Sequence, residues 1–305
     1  MVPRSNFRAS IGGFLKTQVA IAVNWHRPDA ISAAKEMVKL LSDQGADCYV
    51  VDESHPVEIS NCQMLKENQL PKLDCLLVIG GDGTILRSAE IARNLNLPLL
   101  GINHGHVGFL AEAESTQLTQ IAQAISRKNW EIEERITLEV QVVNQTNILW
   151  ESWALNEISI EKASNSRIVE LVTAVDDQPV SRYAGDGVIV ATPTGSTAYA
   201  FSAGGPVVWP NVNAVVLVPL SAHSLFARPL VLDPQSTVVI DLISEASAWA
   251  DSRRGGDLPA GARVIITKST KTIKLMRLSN ETFTNKLVAK FNLPTLGWRG
   301  SKASE

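Results

Sequence analysis

The apolar residues of this chain change their spacing about halfway along it. In the first third, unbroken apolar runs alternate with helical patterns. Val19 to Val23 leads through the polar Asn24-Trp25-His26-Arg27-Pro28 into a helical pattern ending near Leu41. Cys48 to Val51 follows, then Leu76-Leu77-Val78-Ile79, a helical pattern from Ile85 to Asn94, and Leu97 to Ile102. Unbroken runs suit strands buried on both faces, and their alternation with helices predicts a doubly wound, Rossmann-like parallel sheet.

From Ile132 the pattern shortens. Leu138-Val140-Val142, Ile148-Trp150, Ile158-Ile160, Ile168 to Val172 and Val188 to Val190 come with few helical stretches between them. Val215 to Val218, Val238 to Leu242, Val264 to Ile266 and Ile273 to Leu278 continue the series. This predicts a β-rich second domain. Thr282 to Phe291 regains a helical look. The reading divides the chain into an α/β domain over residues 1–130, a β-rich domain over 131–278, and a segment, 279–305, expected to rejoin the first domain.

Composition narrows the partners. A chain of 305 residues, 45% of them hydrophobic, can bury two sizeable cores. A net charge of -3 without a long basic run argues against nucleic acid, whose phosphate backbone calls for clustered Lys and Arg. Cys48, Cys62 and Cys75 have neither metal-ligand spacing nor the even count of a disulfide framework, which points to a reducing compartment. With no signal-peptide run before Lys16 and no uninterrupted membrane span, a soluble cytoplasmic protein with no membrane partner is expected.

Two stretches carry chemistry. In Gly80-Gly81-Asp82-Gly83-Thr84 a buried strand stops at glycines directly before a helix. Glycines let the backbone approach a ligand closely, and the free N–H groups and dipole of the helix start attract phosphate oxygens, so Gly80, Gly81 and Thr84 are candidate phosphate-binding residues. Asp82 is the odd member, because a carboxylate among phosphates adds repulsion; catalysis or metal binding would justify it, and so would a tight turn with Asp as helix cap. The second stretch, Ala184-Gly185-Asp186-Gly187 through Thr192-Pro193-Thr194-Gly195-Ser196-Thr197-Ala198-Tyr199, runs a strand into small hydroxyl residues. These leave room for a flat base or a sugar, although a turn capped by Thr194 or Ser196 explains them equally well.

Taken together, Gly80 to Thr84, Asn103-His104-Gly105-His106-Val107-Gly108-Phe109-Leu110, Asn156-Glu157, Gly185-Asp186-Gly187 and the long Thr192 to Pro206 stretch resemble the NAD kinase family, in order and separation, from about Val19 to Trp298. The resemblance implies the NAD kinase and diacylglycerol kinase type of fold and transfer of a terminal phosphoryl group to the 2′-hydroxyl of the adenosine ribose of NAD, giving NADP. It implies Asp82 as general base and Gly83 as a dinucleotide contact. Asn156 and Glu157 would bind the ribose and adenine portion, Thr197, Ala198, Tyr199 and Ser202 would line the adenine pocket, and Asp186 would sit by the nicotinamide end. Arg87 and Arg167 fall where the family places further dinucleotide contacts. NAD and ATP or polyphosphate are the implied substrates. Mg²⁺ or Mn²⁺ would arrive with the phosphoryl donor rather than in a dedicated protein cage, and a homodimer or homotetramer is expected.

The chain departs from the family pattern at His104 and His106, where arginine is common, at Ala184, where many members have a basic residue, and at Arg253, which replaces a glutamine. A lipid kinase of the diacylglycerol or sphingosine type shares a glycine-flanked aspartate followed by a β-rich domain but would need an apolar acceptor pocket or a membrane-facing basic patch, and the polar Thr192 to Tyr199 stretch weighs against it. A non-catalytic NADP sensor is the third reading, and intact Asp82, Asn156 and Glu157 oppose it.

Overall fold

The apolar runs of the first third become strands with both faces covered. The structure is a computed structural model that describes residues 16–51, 58–64, 71–103, 108–114, 117–224, 227–278 and 282–294. Its first half contains β1 (Gln18–Val23), α1 (Pro28–Asp43), β2 (Asp47–Val50), β3 (Cys62–Met64), β4 (Cys75–Ile79), α2 (Asp82–Leu95), β5 (Leu99–Asn103), β6 (Ala113–Glu114), α3 (Leu118–Ser126) and β7 (Glu131–Arg135). The second half contains β8 (Leu138–Asn144), β9 (Asn147–Ala154), β10 (Glu157–Lys162), β11 (Val169–Val175), β12 (Gln178–Gly185), β13 (Gly187–Ala191), α4 (Tyr199–Ser202), β14 (Val215–Leu220), β15 (Leu230–Leu232), β16 (Val238–Leu242), β17 (Ala246–Ala250), β18 (Arg254–Leu258), β19 (Arg263–Lys268), β20 (Ile273–Arg277) and α5 (Phe283–Phe291).

The first sheet runs β3-β2-β1-β4-β5-β20-β7, with β6 beside β5. Its pairs are parallel except β20 with β7. Alternation along each strand divides the core in two. Ile21, Val23, Leu77, Ile79, Leu100 and Ile102 face α1 and α3, whereas Ala20, Ala22, Leu76, Val78 and Leu99 face Ile85, Ala89 and Ala92 of α2. Trp153 and Leu155, from the end of β9 and just beyond it, join the α2 side, so the two halves of the chain share that core. The strand order reverses between β1 and β4, and ligands gather at the carboxyl ends of strands at such a switch point. Asn24 and Gly80 lie there, with the Asn24 N–H donating to the Ile79 carbonyl at 2.9 Å.

The second half folds as two six-stranded antiparallel sheets, β15-β14-β13-β10-β17-β18 and β12-β11-β16-β19-β8-β9. They enclose one core, to which Ile158, Ile160, Val188 and Val190 contribute from the β10-β13 sheet and Val140, Leu171, Ile240 and Val264 from the β8-β11 sheet. A smaller cluster of Ile189, Ala191, Val216 and Val218 packs under Ala200 and Val208, which seats the 192–206 stretch over the outside of that sheet.

Some elements differ from the expected pattern. Helix α2 begins three residues before Ile85, at Asp82 itself, so the aspartate is part of the helix. Strands β17 and β18 escape the periodicity because Ala-Ser-Ala-Trp-Ala and Arg-Gly-Gly-Asp-Leu lack β-branched residues; close packing of Ala246, Ala248 and Ala250 inside the sandwich overrides local preference. Strands β7 and β20, which lie within residues 131–278, belong to the first sheet, so the sandwich runs from β8 to β19.

Leu77 is fully buried in the core beneath α1. Leu77→Ala is expected to lower unfolding free energy by about 2–5 kcal/mol through lost transfer energy and a residual cavity, measured by urea denaturation.

Candidate active site

Each part of the glycine turn has its own geometry. Gly80 is buried, and a Cβ there would lie 2.7 Å from the Thr84 hydroxyl and 2.9 Å from its Cβ, so only glycine closes this turn without displacing the helix start. Gly81 is the N-cap, and its carbonyl accepts from the N–H groups of Thr84 at 2.8 Å and Ile85 at 3.1 Å. A Cβ on Gly81 or Gly83 would meet nothing within 4 Å, which leaves an open approach to the first turn. Thr84 was expected to bind phosphate; its side chain is buried beneath Gly80, although the residue still lines the neighbouring cleft.

The Asp82 carboxylate accepts two backbone N–H groups, from Phe109 at 3.2 Å and Leu110 at 3.4 Å. Both are long for charge-assisted bonds. A Cβ on Gly108 would lie 2.4 Å from Asp82 Oδ1, so a glycine at that position lets the backbone close over the acid. Beside this turn is a cleft of about 410 Å³ lined by Asn24, Trp25, Thr84, Arg87 and Arg253, among others. Arg87 and Arg253 are both exposed. Partial desolvation in the cleft, reinforced by the nearby guanidinium groups of Arg87 and Arg254, holds Arg253 below its ordinary value although its side chain is largely exposed.

On the sandwich side, Asp251 organises the junction between β9 and β10. Its buried carboxylate accepts from Leu155 N–H at 3.0 Å, from Asn156 N–H at 2.7 Å and from Arg254 Nη2 at 3.0 Å. Asp251 and Ser252 both have positive φ, at 50° and 53°, and Arg253 N–H returns to the Ala250 carbonyl at 3.1 Å. This tight turn presents the carboxylate to the β9–β10 junction. Arg254 also donates to the Trp153 carbonyl at 2.7 Å and lies 4.6 Å from the centre of the Trp153 ring; Arg93 of α2 lies 4.7 Å from the same centre.

Glu157 is 3% exposed and has Oε2 buried without a hydrogen-bond partner among the described residues. Burial, with the Asp251 charge adding to it, pushes its carboxyl up to about 8, against the pull of a hydrogen bond from the Tyr199 N–H. Thr192 ties the adjoining loop to the same junction: its hydroxyl donates to the Leu155 carbonyl at 2.6 Å, and its N–H to the Asn156 carbonyl at 2.8 Å. A Cβ on Gly195 would lie 2.0 Å from that Asn156 carbonyl oxygen, so the close approach of the two segments requires glycine.

The expected residues therefore fall into groups. Asn156, Glu157 and Tyr199 meet at one junction, with Thr197, Ala198 and Ser202 on the turn and short helix beside them. Thr194 provides no cap; Ser196 instead bonds the Pro193 carbonyl and the Val208 N–H. Asp186 pairs with Lys162 at 2.6 Å, and that bond lowers its carboxyl; its charge, with those of Glu161 and Glu157, adds to burial in raising the Tyr199 hydroxyl. Arg167 is exposed in the loop between β10 and β11, and no ion pair joins it to this group among the described residues. His104 and His106 lie outside the described residues. Sequence reasoning did not identify the holding roles of Asp251, Arg254, Trp153, Thr192 and Gly108. Asp251-Ser252 is legible as a turn, but nothing local signals a buried side chain.

Comparison with known proteins decides the family. The ATP-NAD kinase N-terminal domain family matches residues 19–130 and the ATP-NAD kinase C-terminal domain family matches residues 155–278. This chain belongs to the ATP-NAD kinase family. An NAD kinase of Leifsonia xyli subsp. xyli is 52% identical over 234 residues, spanning 75% of this chain and 77% of that protein. The yeast NADH kinase complexed with NADH has the same fold, with a TM-score of 0.81 at 21% identity over 95% of this chain and 90% of that one. An NAD kinase from Archaeoglobus fulgidus in complex with ATP aligns with a TM-score of 0.65 at 26% identity over 91% of this chain and 99% of that one.

Between 4.5, the ordinary value, and about 8, folded Glu157 keeps a proton that the unfolded chain has lost. The folded state then binds more protons, so this group's contribution to stability is full below that window and is lost as pH rises through it. Glu157→Gln removes the effect. Its melting temperature relative to the parent is expected to rise steadily across the window in a pH series of thermal melts; parallel curves would show a carboxyl already ionised throughout.

Proposed function

We propose that this chain transfers the terminal phosphoryl group of ATP to the 2′-hydroxyl of the adenosine ribose of NAD, giving NADP. The observation that carries the reading is the Asp82 carboxylate at the first turn of α2, beside the switch point of the sheet and held by the Phe109 and Leu110 N–H groups. The family match and the ATP complex of the Archaeoglobus relative support NAD and ATP as substrates. Polyphosphate would present the same terminal group, and a lipid acceptor is opposed by the family match and by the polar Thr192 to Tyr199 stretch.

In this mechanism Asp82 takes the proton of the 2′-hydroxyl as that oxygen bonds to the terminal phosphorus, and the bond from phosphorus to the bridging oxygen breaks to release ADP. The transition state is loose, so alignment and charge neutralisation do most of the work. Gly81 and Gly83 admit the phosphates to the helix start, and Gly80, expected to bind them, is buried and closes the turn behind. Arg87 and Arg253 face them across the cleft, and an arriving phosphate relieves the repulsion between guanidinium groups. Asn156, Glu157, Thr197, Ala198, Tyr199 and Ser202 hold the adenosine, with Arg167 and Asp186 toward the remaining dinucleotide. Glu157, protonated at neutral pH, offers a hydrogen-bond donor as well as an acceptor.

A divalent cation would neutralise the donor's phosphates. It would be held mainly by phosphate oxygens and water, with Asp82 the carboxylate within the glycine turn.

Asp82→Asn is expected to reduce kcat by about 10²–10⁴-fold while NAD still binds, read by steady-state kinetics and calorimetry. Unchanged turnover would assign Asp82 to the turn alone and remove it as the base.

A further inference from the structure

Helix α5 and strand β20 close the chain against the backbone that holds Asp82. Lys286 is 4% exposed, and its Nζ donates to the Ala111 carbonyl at 2.7 Å and to Glu112 Oε2 at 3.4 Å. Glu112, 6% exposed, also accepts from Arg277 Nη1 at 2.6 Å and from the Leu278 N–H at 3.2 Å. Its own N–H donates to the Gly101 carbonyl at 2.9 Å. Two residues upstream of Ala111, the Phe109 ring has its centre 5.7 Å from that of Phe283 and 5.8 Å from that of Phe291, both on α5. The helix therefore grips residues 109–112 by an aromatic cluster at one end and a buried ammonium at the other.

This grip matters because the amides of Phe109 and Leu110 face Asp82 at 3.2 and 3.4 Å, near the limit at which such bonds hold a side chain in place. The Ala111 carbonyl lies two peptides beyond the one that carries the Leu110 N–H, so a shift there of a few tenths of an ångström, passed back along the chain, is enough to take these bonds past that limit. We infer that Lys286 is a positioning residue for phosphoryl transfer: through the Ala111 carbonyl and Glu112 it sets the turn whose N–H groups aim the Asp82 carboxylate. The inference rests on the reading of Asp82 as the base. Lys286 touches neither substrate nor the reacting atoms in this mechanism.

The test is steady-state kinetics of the full chain with NAD and Mg-ATP. Misplacement of a reacting group by about 1 Å can cost on the order of 10²-fold, so Lys286→Met is expected to lower kcat by about tenfold or more while KM for NAD and for ATP stays within about twofold. Glu112→Gln is expected to act in the same direction, and Lys286→Arg, which keeps the cation, to recover most of the loss. A purely structural role predicts a lower melting temperature with kcat kept.

Parent-level kcat in folded Lys286→Met overturns the inference, and so does a raised KM for NAD at unchanged kcat. If Lys286→Met does not fold, Glu112→Gln decides by the same criteria, and loss of the fold in both variants assigns the pair to stability and also overturns it. A parent chain that makes no NADP removes the underlying reading; an active parent with an undiminished Lys286→Met removes only this one.

Discussion

The seating of α2 between the two halves of the molecule is the constraint on which the site depends. One face of this helix, Ile85, Ala89 and Ala92, is buried against the first sheet, in the core that Trp153 and Leu155 also enter. Its remaining surface reaches the sandwich through side chains. Arg93 and Arg254 both lie against the Trp153 ring, Glu90 lies 3.7 Å from Arg254, and Arg87 shares a cleft with Arg253. The helix that begins at Asp82 is thus also the joint, and any rotation of one half against the other moves the acid relative to Asn156 and Glu157. A guanidinium over tryptophan contributes about 0.5–2 kcal/mol per contact, so two such contacts on one ring stiffen the joint without closing the cleft beside it.

Buried charge is the second theme, and it concentrates where backbone must be fixed. Asp251 holds two amides of the β9–β10 junction, and Glu112 holds one amide together with Arg277 and Lys286. Desolvating such pairs costs several kcal/mol per ion before their attraction and hydrogen bonds offset it, so burying them is a poor way to add stability alone. Their geometry gives a better reason. At Asp251 a carboxylate that bonds the consecutive Leu155 and Asn156 N–H groups fixes peptide orientation more tightly than apolar packing can, and at Glu112 one carboxylate ties the end of β20 to α5. Glu157 is different: one of its oxygens has no hydrogen-bond partner among the described residues, and burial raises its carboxyl.

Much of this was legible in the sequence. The runs at Val19 and Leu76 identify strands because burial on both faces leaves an uninterrupted apolar signal, and Gly80-Gly81-Asp82-Gly83 identifies the turn because few other local structures need so many glycines around one acid. What escaped is long-range. Trp153, Asp251 and Arg254 assemble a joint from residues about 100 positions apart, and their local context reads as a strand end and an exposed hairpin. Strand β20 rejoins the first sheet across a gap of 176 residues from Leu99 to Leu275, a pairing that no periodicity encodes.

Glycine shows how fold and chemistry share one solution. Gly108 leaves space for the Asp82 carboxylate, and Gly195 lets a loop lie directly on the Asn156 carbonyl. In both cases the missing Cβ allows backbone to do what a side chain would do less rigidly: two amides hold the acid, and one loop is pressed onto the strand junction. A phosphoryl transfer that needs alignment more than strong basicity is well served by such a site, because backbone held from both sides has few alternative positions to occupy. The dependence then runs outward. The backbone around Asp82 is only as fixed as the elements behind it, so a helix at the far end of the chain enters the reaction through a carbonyl oxygen and a buried carboxylate.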